Sequence, residues 1–255
     1  MTNNTAVRQP LNLPLITAIL VSSGLLWRVW LISGAKQSLL LIIALLLGLT
    51  LYSAAFSFAG AYRAILVKRQ TQGVQAQLLM LAIASILFAP LLAKGELFGL
   101  TLYGATAPVA LMLVVGAFLF GIGMQLGDGC ASGTLYTVGG GNRRMLVTLS
   151  GFMAGSVIGT LHLPFWWRQP SWGTITLTQL TGSWQSALAL QLLFLLLLSA
   201  LLYRISRHSD EAPDTSNFRL LGGPWPLWFG ALMLALLNLA TLLTAGHPWT
   251  IAWGY

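Results

Sequence analysis

The chain has 255 residues, of which 56% are hydrophobic and only 7% are charged, whereas an ordinary soluble domain has about 25% charged residues. This composition excludes a soluble globular protein, because 5 acidic and 13 basic residues could not keep so apolar a surface in water. The net charge of +8 does not indicate a nucleic-acid-binding protein, because the basic residues lie in small groups between apolar runs and form no basic stripe.

Seven stretches are long enough to cross a membrane as helices, since about 20 residues rising about 1.5 Å each span a hydrocarbon core about 30 Å thick. They are residues 11–33, 38–61, 74–93, 105–126, 145–163, 184–203 and 224–245. The predicted fold class is therefore all-α, a polytopic transmembrane bundle that uses the lipid bilayer as its solvent. A cleaved signal peptide ending near Gly34 is an alternative for the first stretch, but Trp27, Arg28 and Trp30 interrupt its apolar run and favour a retained helix.

The basic residues alternate between the two sides of these seven spans. One side holds nine of them: Arg8, Arg63, Lys68, Arg69, Arg143, Arg144, Arg204, Arg207 and Arg219. The other side holds only three: Lys36, Lys94 and Arg168. Because Lys and Arg concentrate in cytoplasmic loops, this asymmetry predicts a cytoplasmic N-terminus in a bacterial inner membrane.

The spans and the polar stretch between them predict three parts. Residues 1–203 form a transmembrane core of six spans, with a candidate site segment at 121–141. Residues 204–222 include the acidic, proline-containing stretch of the chain and form a cytoplasmic linker. Residues 223–255 hold the seventh span and the start of an incomplete or truncated second part.

A glycine-rich segment follows the fourth span, with six glycines among residues 127–142. Irregular backbone at membrane depth must be buried in protein or line a watery cavity, so the segment is typical of a broken or re-entrant helix, whose end offers N–H groups to an anion. A long cytoplasmic loop is the alternative. Asp128 opposes an anion site unless it lies at the rim or is neutralised by Arg143 or Arg144.

Cys130 is the single cysteine, which excludes an intramolecular disulfide. In a membrane helix such a residue is most often a small apolar filler. Here it follows Gly129 and precedes Ala131-Ser132-Gly133, where the backbone can approach a ligand closely. A short helix beginning near Ser132 would place its N-terminus beside the sulfur, which favours a functional role.

Other motifs indicate structure rather than chemistry. Gly151, Gly155 and Gly159 form a small-residue face that predicts close helix packing. The three histidines show no ligand spacing, so we expect no metal and no other cofactor. Gly121-Ile122-Gly123 follows no strand and is no dinucleotide fingerprint, and no serine or threonine nucleophile has a plausible His and carboxylate pair.

The chain also contains a faint internal repeat. Span two ends in small residues around Ser57, and a basic turn and a helix ending at Pro90 follow. Span four ends in the Cys130 segment, and again a basic turn and a helix ending at Pro164 follow. Duplicated units of this kind build the central path of many transporters.

These motifs closely resemble the signature of the YeeE/YedE family of sulphur transporters. The matching stretches are Gly121-Ile122-Gly123-Met124-Gln125-Leu126, Gly129-Cys130-Ala131-Ser132-Gly133-Thr134-Leu135-Tyr136, Gly139-Gly140-Gly141, Met145 through Pro164, Gln77-Leu78-Leu79-Met80-Leu81 and Gly246-His247-Pro248-Trp249. The resemblance covers most of the chain from about residue 48, and its most specific part is the Gly-Cys-Ala-Ser-Gly block.

The resemblance implies a transporter that imports thiosulfate or a related sulfur or selenium anion, with cysteine thiols as waypoints in a narrow central path. Cys130 matches one such cysteine, whereas Ser57 stands where many relatives have a cysteine between two phenylalanines. A third cysteine motif has no counterpart, and Asp128 replaces a common glycine. The final residues, Trp249 to Tyr255, resemble the entrance to another helix, which predicts a C-terminally truncated sequence.

The predicted substrate path comprises Cys130, Gly129, Ala131, Ser132, Gly133, Thr134 and Ser57, and the predicted surrounding residues are Gly121, Gly123, Gln125, Asp128 and Tyr136. Import of an anion costs about 2.3 kcal/mol per charge per 100 mV, so coupling, a gradient or consumption by a cytoplasmic sulfurtransferase must drive it. Two alternatives are a membrane sulfur-transfer protein carrying a persulfide on Cys130, and a non-transporting fragment that needs a partner chain.

Overall fold

The computed structural model describes residues 13–97, 99–206 and 224–250. Its helices are α1 (Leu13–Ser53), α2 (Phe58–Lys68), α3 (Gln72–Lys94), α4 (Leu111–Leu126), α5 (Ala131–Gly139), α6 (Met145–Trp167), α7 (Leu177–Thr181), α8 (Trp184–Ser206) and α9 (Leu227–Ala245). A two-stranded antiparallel hairpin, β1 (Glu96–Leu97) and β2 (Leu100–Thr101), follows α3. Six helical stretches in these ranges are long and apolar enough to cross a membrane, so the predicted all-α membrane bundle is confirmed.

The number of long stretches differs from the predicted seven because the first two predicted spans are joined in α1. The 41 residues of α1 would extend about 60 Å as one straight helix, twice the thickness of a hydrocarbon core. Gly34 interrupts the helix with φ 78° and ψ −172°, a conformation that only glycine adopts readily. α1 is therefore two helical segments, each about the length of one span.

Two predicted span boundaries are wrong. The second span ends at Ser53 rather than at residue 61, because the chain leaves the helix through Ala55, whose φ is 47°, before α2 begins. The fourth helix begins at Leu111 rather than at residue 105. The preceding backbone pairs with a distant loop, since the amide of Val109 donates to the Gly173 carbonyl over 2.8 Å.

Three helices continue beyond their predicted ends. Pro90 lies inside α3 and Pro164 lies inside α6; neighbouring groups in a membrane helix can satisfy the carbonyl that a proline leaves unpaired. α8 extends to Ser206, so the predicted linker 204–222 begins inside a helix. Most of that linker lies outside the described residues, as do residues 1–12 and 251–255.

α9 packs against both α1 and α3 to form the largest buried cluster. The start of α9 lies close against the residue that follows α1, since a Cβ at Gly230 would lie 2.5 Å from the Ala54 Cβ. Leu47 of α1 is 1% exposed and Ala231 of α9 is fully buried in this cluster. A second cluster joins α3 to α8. These contacts fix the end of α1, from which α2 starts.

The glycine face of α6 does not pack against a helix in the described part of the chain. No atom lies within 4 Å of a Cβ built at Gly151, Gly155 or Gly159. Gly151 and Gly155 instead line an open apolar groove of about 620 Å³ between α4 and α6. The predicted close packing is therefore wrong for the described structure.

Candidate functional site

The internal repeat appears in the structure as two units of the same design. In each unit a long helix stops, an N-cap residue begins a short helix, and a long helix containing a proline follows. Ser57 caps α2 and accepts a hydrogen bond from the Gly60 amide over 3.3 Å. Cys130 caps α5, and its Sγ accepts from the Gly133 amide over 3.3 Å. The two residues occupy equivalent positions.

The glycine-rich segment forms the predicted broken helix. α4 ends at Leu126, and α5 begins at Ala131, one residue before the predicted start at Ser132. A side-chain acceptor at the N-cap satisfies an amide that a helix start leaves unpaired, and the extended backbone of Cys130, with φ −79° and ψ 176°, permits this geometry. Residues 131–139 are therefore helical rather than an irregular loop.

The two caps meet at Gly133. A Cβ at this position would lie 3.2 Å from Cys130 Sγ and 3.3 Å from Ser57 Oγ. Ser132 adds a hydroxyl 3.3 Å from the same sulfur. Both distances are shorter than ordinary van der Waals contact, so a side chain at Gly133 would require the two caps to move. Gly133 is therefore the point where the two halves of the repeat meet.

The beginnings of both short helices lie beside the Cys130 sulfur. The Gly133 amide of its own helix donates to the sulfur, and Phe58 and Ala59, in the first turn of α2, pack in the same buried cluster as Cys130. Helix N-termini carry partial positive charge and unpaired N–H groups. Two such ends beside one buried atom favour an electron-rich group at that point.

The inner face of α5 supplies further hydroxyl groups. Thr134 is fully buried, and its Oγ1 has no hydrogen-bond partner among the described residues. This oxygen lies 2.9 Å from the position of a Cβ on the buried Gly129. Tyr136, two residues further along α5, packs against the cluster that contains Phe56, next to Ser57. A buried hydroxyl without a partner is costly, so Thr134 is a donor available to a bound group.

A cavity of about 210 Å³ adjoins the Ser57 side of this site. Ser57, Gly60 and Gln77 contribute to its lining. Gln77 of α3 is 3% exposed and donates from Nε2 to the Ser57 carbonyl over 3.3 Å. Its Oε1 has no partner in the described ranges. The family resemblance includes Gln77 but implies no role for it. A polar side chain within an apolar span is a signal by which it could have been predicted to be functional.

The structure does not bring every predicted site residue to this point. Ser57, Gly129, Cys130, Ser132, Gly133, Thr134 and Tyr136 lie together, whereas Gly121, Gly123 and Gln125 lie along α4, where Gln125 is exposed. No atom lies within 4 Å of a Cβ built at Gly121 or Gly123. Ala131 lines the apolar groove between α4 and α6.

Asp128 is neutralised by a residue that the sequence did not single out. Its carboxylate pairs with Arg63 of α2 over 3.2 Å, not with the expected Arg143 or Arg144. In the sequence, Arg63 indicates only the charge asymmetry between the loops on the two sides of the membrane. The contact links the connection between α4 and α5 to the other repeat unit.

The described residues contain no group of three or more His, Cys, Asp or Glu side chains that could hold a metal ion. The chemistry available at the site is therefore that of one thiol, several hydroxyls and converging backbone amides. These groups can bind an anion that carries both oxygen and sulfur, because the amides and hydroxyls donate to oxygen and the S–H is a weak donor to a soft acceptor.

The sequence is similar to those of known sulphur-transport proteins. A family model described as sulphur transport matches residues 53–255. The thiosulfate transporter TsuA of Escherichia coli strain K12 is 31% identical over 119 residues, which are 46% of this chain and 32% of that relative. The matched segment thus spans about a third of the length of this curated relative.

Proposed function

Because the chain belongs to the sulphur transport family, we propose that it carries thiosulfate or a closely related sulfur-containing anion across the bacterial inner membrane, with Cys130 as a contact point on the path. The observation that carries this proposal is that the two helix N-caps, Ser57 and the buried thiol Cys130, meet at Gly133.

Thiosulfate suits the two kinds of donor at this site. Its terminal sulfur is a soft acceptor for the S–H of Cys130. Its oxygens can accept from the hydroxyls of Ser132 and Thr134 and from the first-turn amides of both short helices. Sulfate offers only oxygen acceptors, so the thiol is the group that distinguishes the two anions.

Ser57 would provide the next contact. It occupies the equivalent cap, its Oγ lies 3.3 Å from the Cβ position at Gly133 that Cys130 Sγ also approaches, and it lines the neighbouring cavity with Gln77. An anion that leaves Cys130 could therefore pass Gly133 and reach the Ser57 hydroxyl and the cavity. The Ser57 hydroxyl is a hydrogen-bond donor, as the cysteine thiol expected at this position from the resemblance would be.

We infer the orientation of the chain in the membrane from the charges on the loops. Arg63, Lys68 and Arg69 lie at the end of α2, and Arg143 and Arg144 follow α5. By the positive-inside rule both groups face the cytoplasm, with the N-terminus and the linker 204–222 on the same side. Import then requires coupling, a gradient or removal of the anion by a cytoplasmic sulfurtransferase.

The test is uptake of radiolabelled thiosulfate by bacterial cells that lack their own sulfate and thiosulfate importers and express the whole chain. We expect accumulation with the unaltered chain, a loss of at least about tenfold for Cys130→Ala because one donor to the soft sulfur is gone, and a smaller loss for Cys130→Ser. Met124→Leu is the control, since Met124 shares the buried cluster with Cys130 and the change conserves volume.

Equal accumulation by Cys130→Ala and the unaltered chain, at equal amounts of protein in the membrane, would overturn the role of Cys130. No accumulation by any variant would contradict transport by this chain. Mass spectrometry that finds a persulfide on Cys130 after thiosulfate exposure, without accumulation, would support the sulfur-transfer alternative.

A further inference from the structure

An ion pair joins the two repeat units close to Cys130. Arg63 Nη1 lies 3.2 Å from Asp128 Oδ1. Arg63 belongs to α2, five residues after Phe58, which places it about 8 Å along the helix from the first residue of α2. Asp128 lies two residues before Cys130. A cation and a carboxylate therefore stand together at the edge of the site.

The carboxylate is held there by an unusual backbone conformation. Asp128 has a φ of 53°, in the left-handed region that glycine adopts without strain and that Asp and Asn tolerate better than other residues. The position thus accommodates glycine at least as well as aspartate. Packing does not require the carboxylate either, because the Asp128 side chain is 71% exposed. The contact of the carboxylate is with the Arg63 guanidinium.

A guanidinium recognises a carboxylate and a sulfur oxyanion by the same N–H to oxygen contacts. The pair is exposed on both sides, at 66% for Arg63 and 71% for Asp128, and exposed pairs are weak. An arriving oxyanion can therefore exchange with the carboxylate. The SO₃ end of thiosulfate and the whole of sulfate present such oxygens.

We propose that Arg63 binds the oxyanion end of the transported anion at the edge of the Cys130 site, and that Asp128 is an internal competitor that occupies Arg63 when no anion is bound. The inference rests on the proposed transport function. Arg63 contacts the substrate, and Asp128 is a positioning residue that acts through Arg63. Arg63 binds any sulfur oxyanion, whereas Cys130 provides the preference for thiosulfate.

The experiment is equilibrium binding of radiolabelled thiosulfate and sulfate to the whole chain in lipid nanodiscs, where both faces are accessible. Asp128→Asn and Asp128→Gly should each bind both anions about two- to fivefold more tightly, a range set by the modest strength of an exposed pair. Glu96→Gln, which removes the same charge from the exposed strand β1, is the matched control and should bind like the unaltered chain.

Arg63→Gln should weaken the binding of both anions, and in the double variant Arg63→Gln/Asp128→Asn the gain from the second change should disappear. Unchanged affinity in both Asp128→Asn and Asp128→Gly, with normal binding by the unaltered chain, overturns this inference and leaves the proposed function standing. An equal gain in the presence and absence of Arg63 also overturns it. An unaltered chain that binds neither anion contradicts the proposed function and this inference together.

Discussion

Gly133 is the position where an added methyl group is expected to disturb the site most directly. An alanine Cβ there would lie 3.2 Å from Cys130 Sγ and 3.3 Å from Ser57 Oγ, and ordinary contacts begin near 3.4 Å. Both polar atoms would have to retreat, and they are the caps of two helices. Overpacking of this kind costs about 1–3 kcal/mol, which corresponds to about a 5- to 150-fold smaller population of the intact site.

We therefore expect Gly133→Ala to lower thiosulfate uptake at least about fivefold, measured as the initial rate per amount of protein in the membrane. Gly139→Ala is the matched control, because it adds the same methyl group to the same helix, where no atom lies within 4 Å. Gly139→Ala should transport like the unaltered chain. If Gly133→Ala transports equally well, the two caps do not form the passage.

Two further predictions concern the architecture. Ser57→Cys should form a disulfide with Cys130 under mild oxidation and lose both free thiols, because the two caps flank one glycine; Ser150→Cys, which is exposed on α6, should keep both thiols. Gly230→Ala should lower the melting temperature, since its Cβ would lie 2.5 Å from the Ala54 Cβ and overpacking costs about 1–3 kcal/mol. Ala54→Gly should restore part of that loss, and no restoration would contradict this helix contact.

The sequence predicts the membrane helices well because each span is a long apolar run. The break between Ser53 and Phe58 is not visible in the sequence, because residues 54–61 carry no charge and only one of them is polar, and because hydropathy is averaged over about 19 residues. The break itself depends on local backbone geometry at Ala55. The equivalent break before Cys130 is visible because glycines and hydroxyl residues replace the apolar ones.

The contacts across the site could be predicted only in part. The repeat indicates that Ser57 and Cys130 are equivalent, but their approach to Gly133 depends on how the two units fold against each other. The partner of Asp128 is a similar case: Arg143 and Arg144 are nearer in sequence, yet α5 separates them from Asp128, and the fold brings Arg63 to it instead.

The proposed selectivity for thiosulfate depends most on a contact between the Cys130 thiol and the sulfur atom of the anion. The direct test is the ratio of thiosulfate to sulfate affinity, measured by equilibrium binding to the whole chain in nanodiscs, for the unaltered protein and for Cys130→Ala. The account predicts that the unaltered chain prefers thiosulfate, and that Cys130→Ala loses this preference while its sulfate affinity stays the same. An unchanged ratio in Cys130→Ala would contradict it.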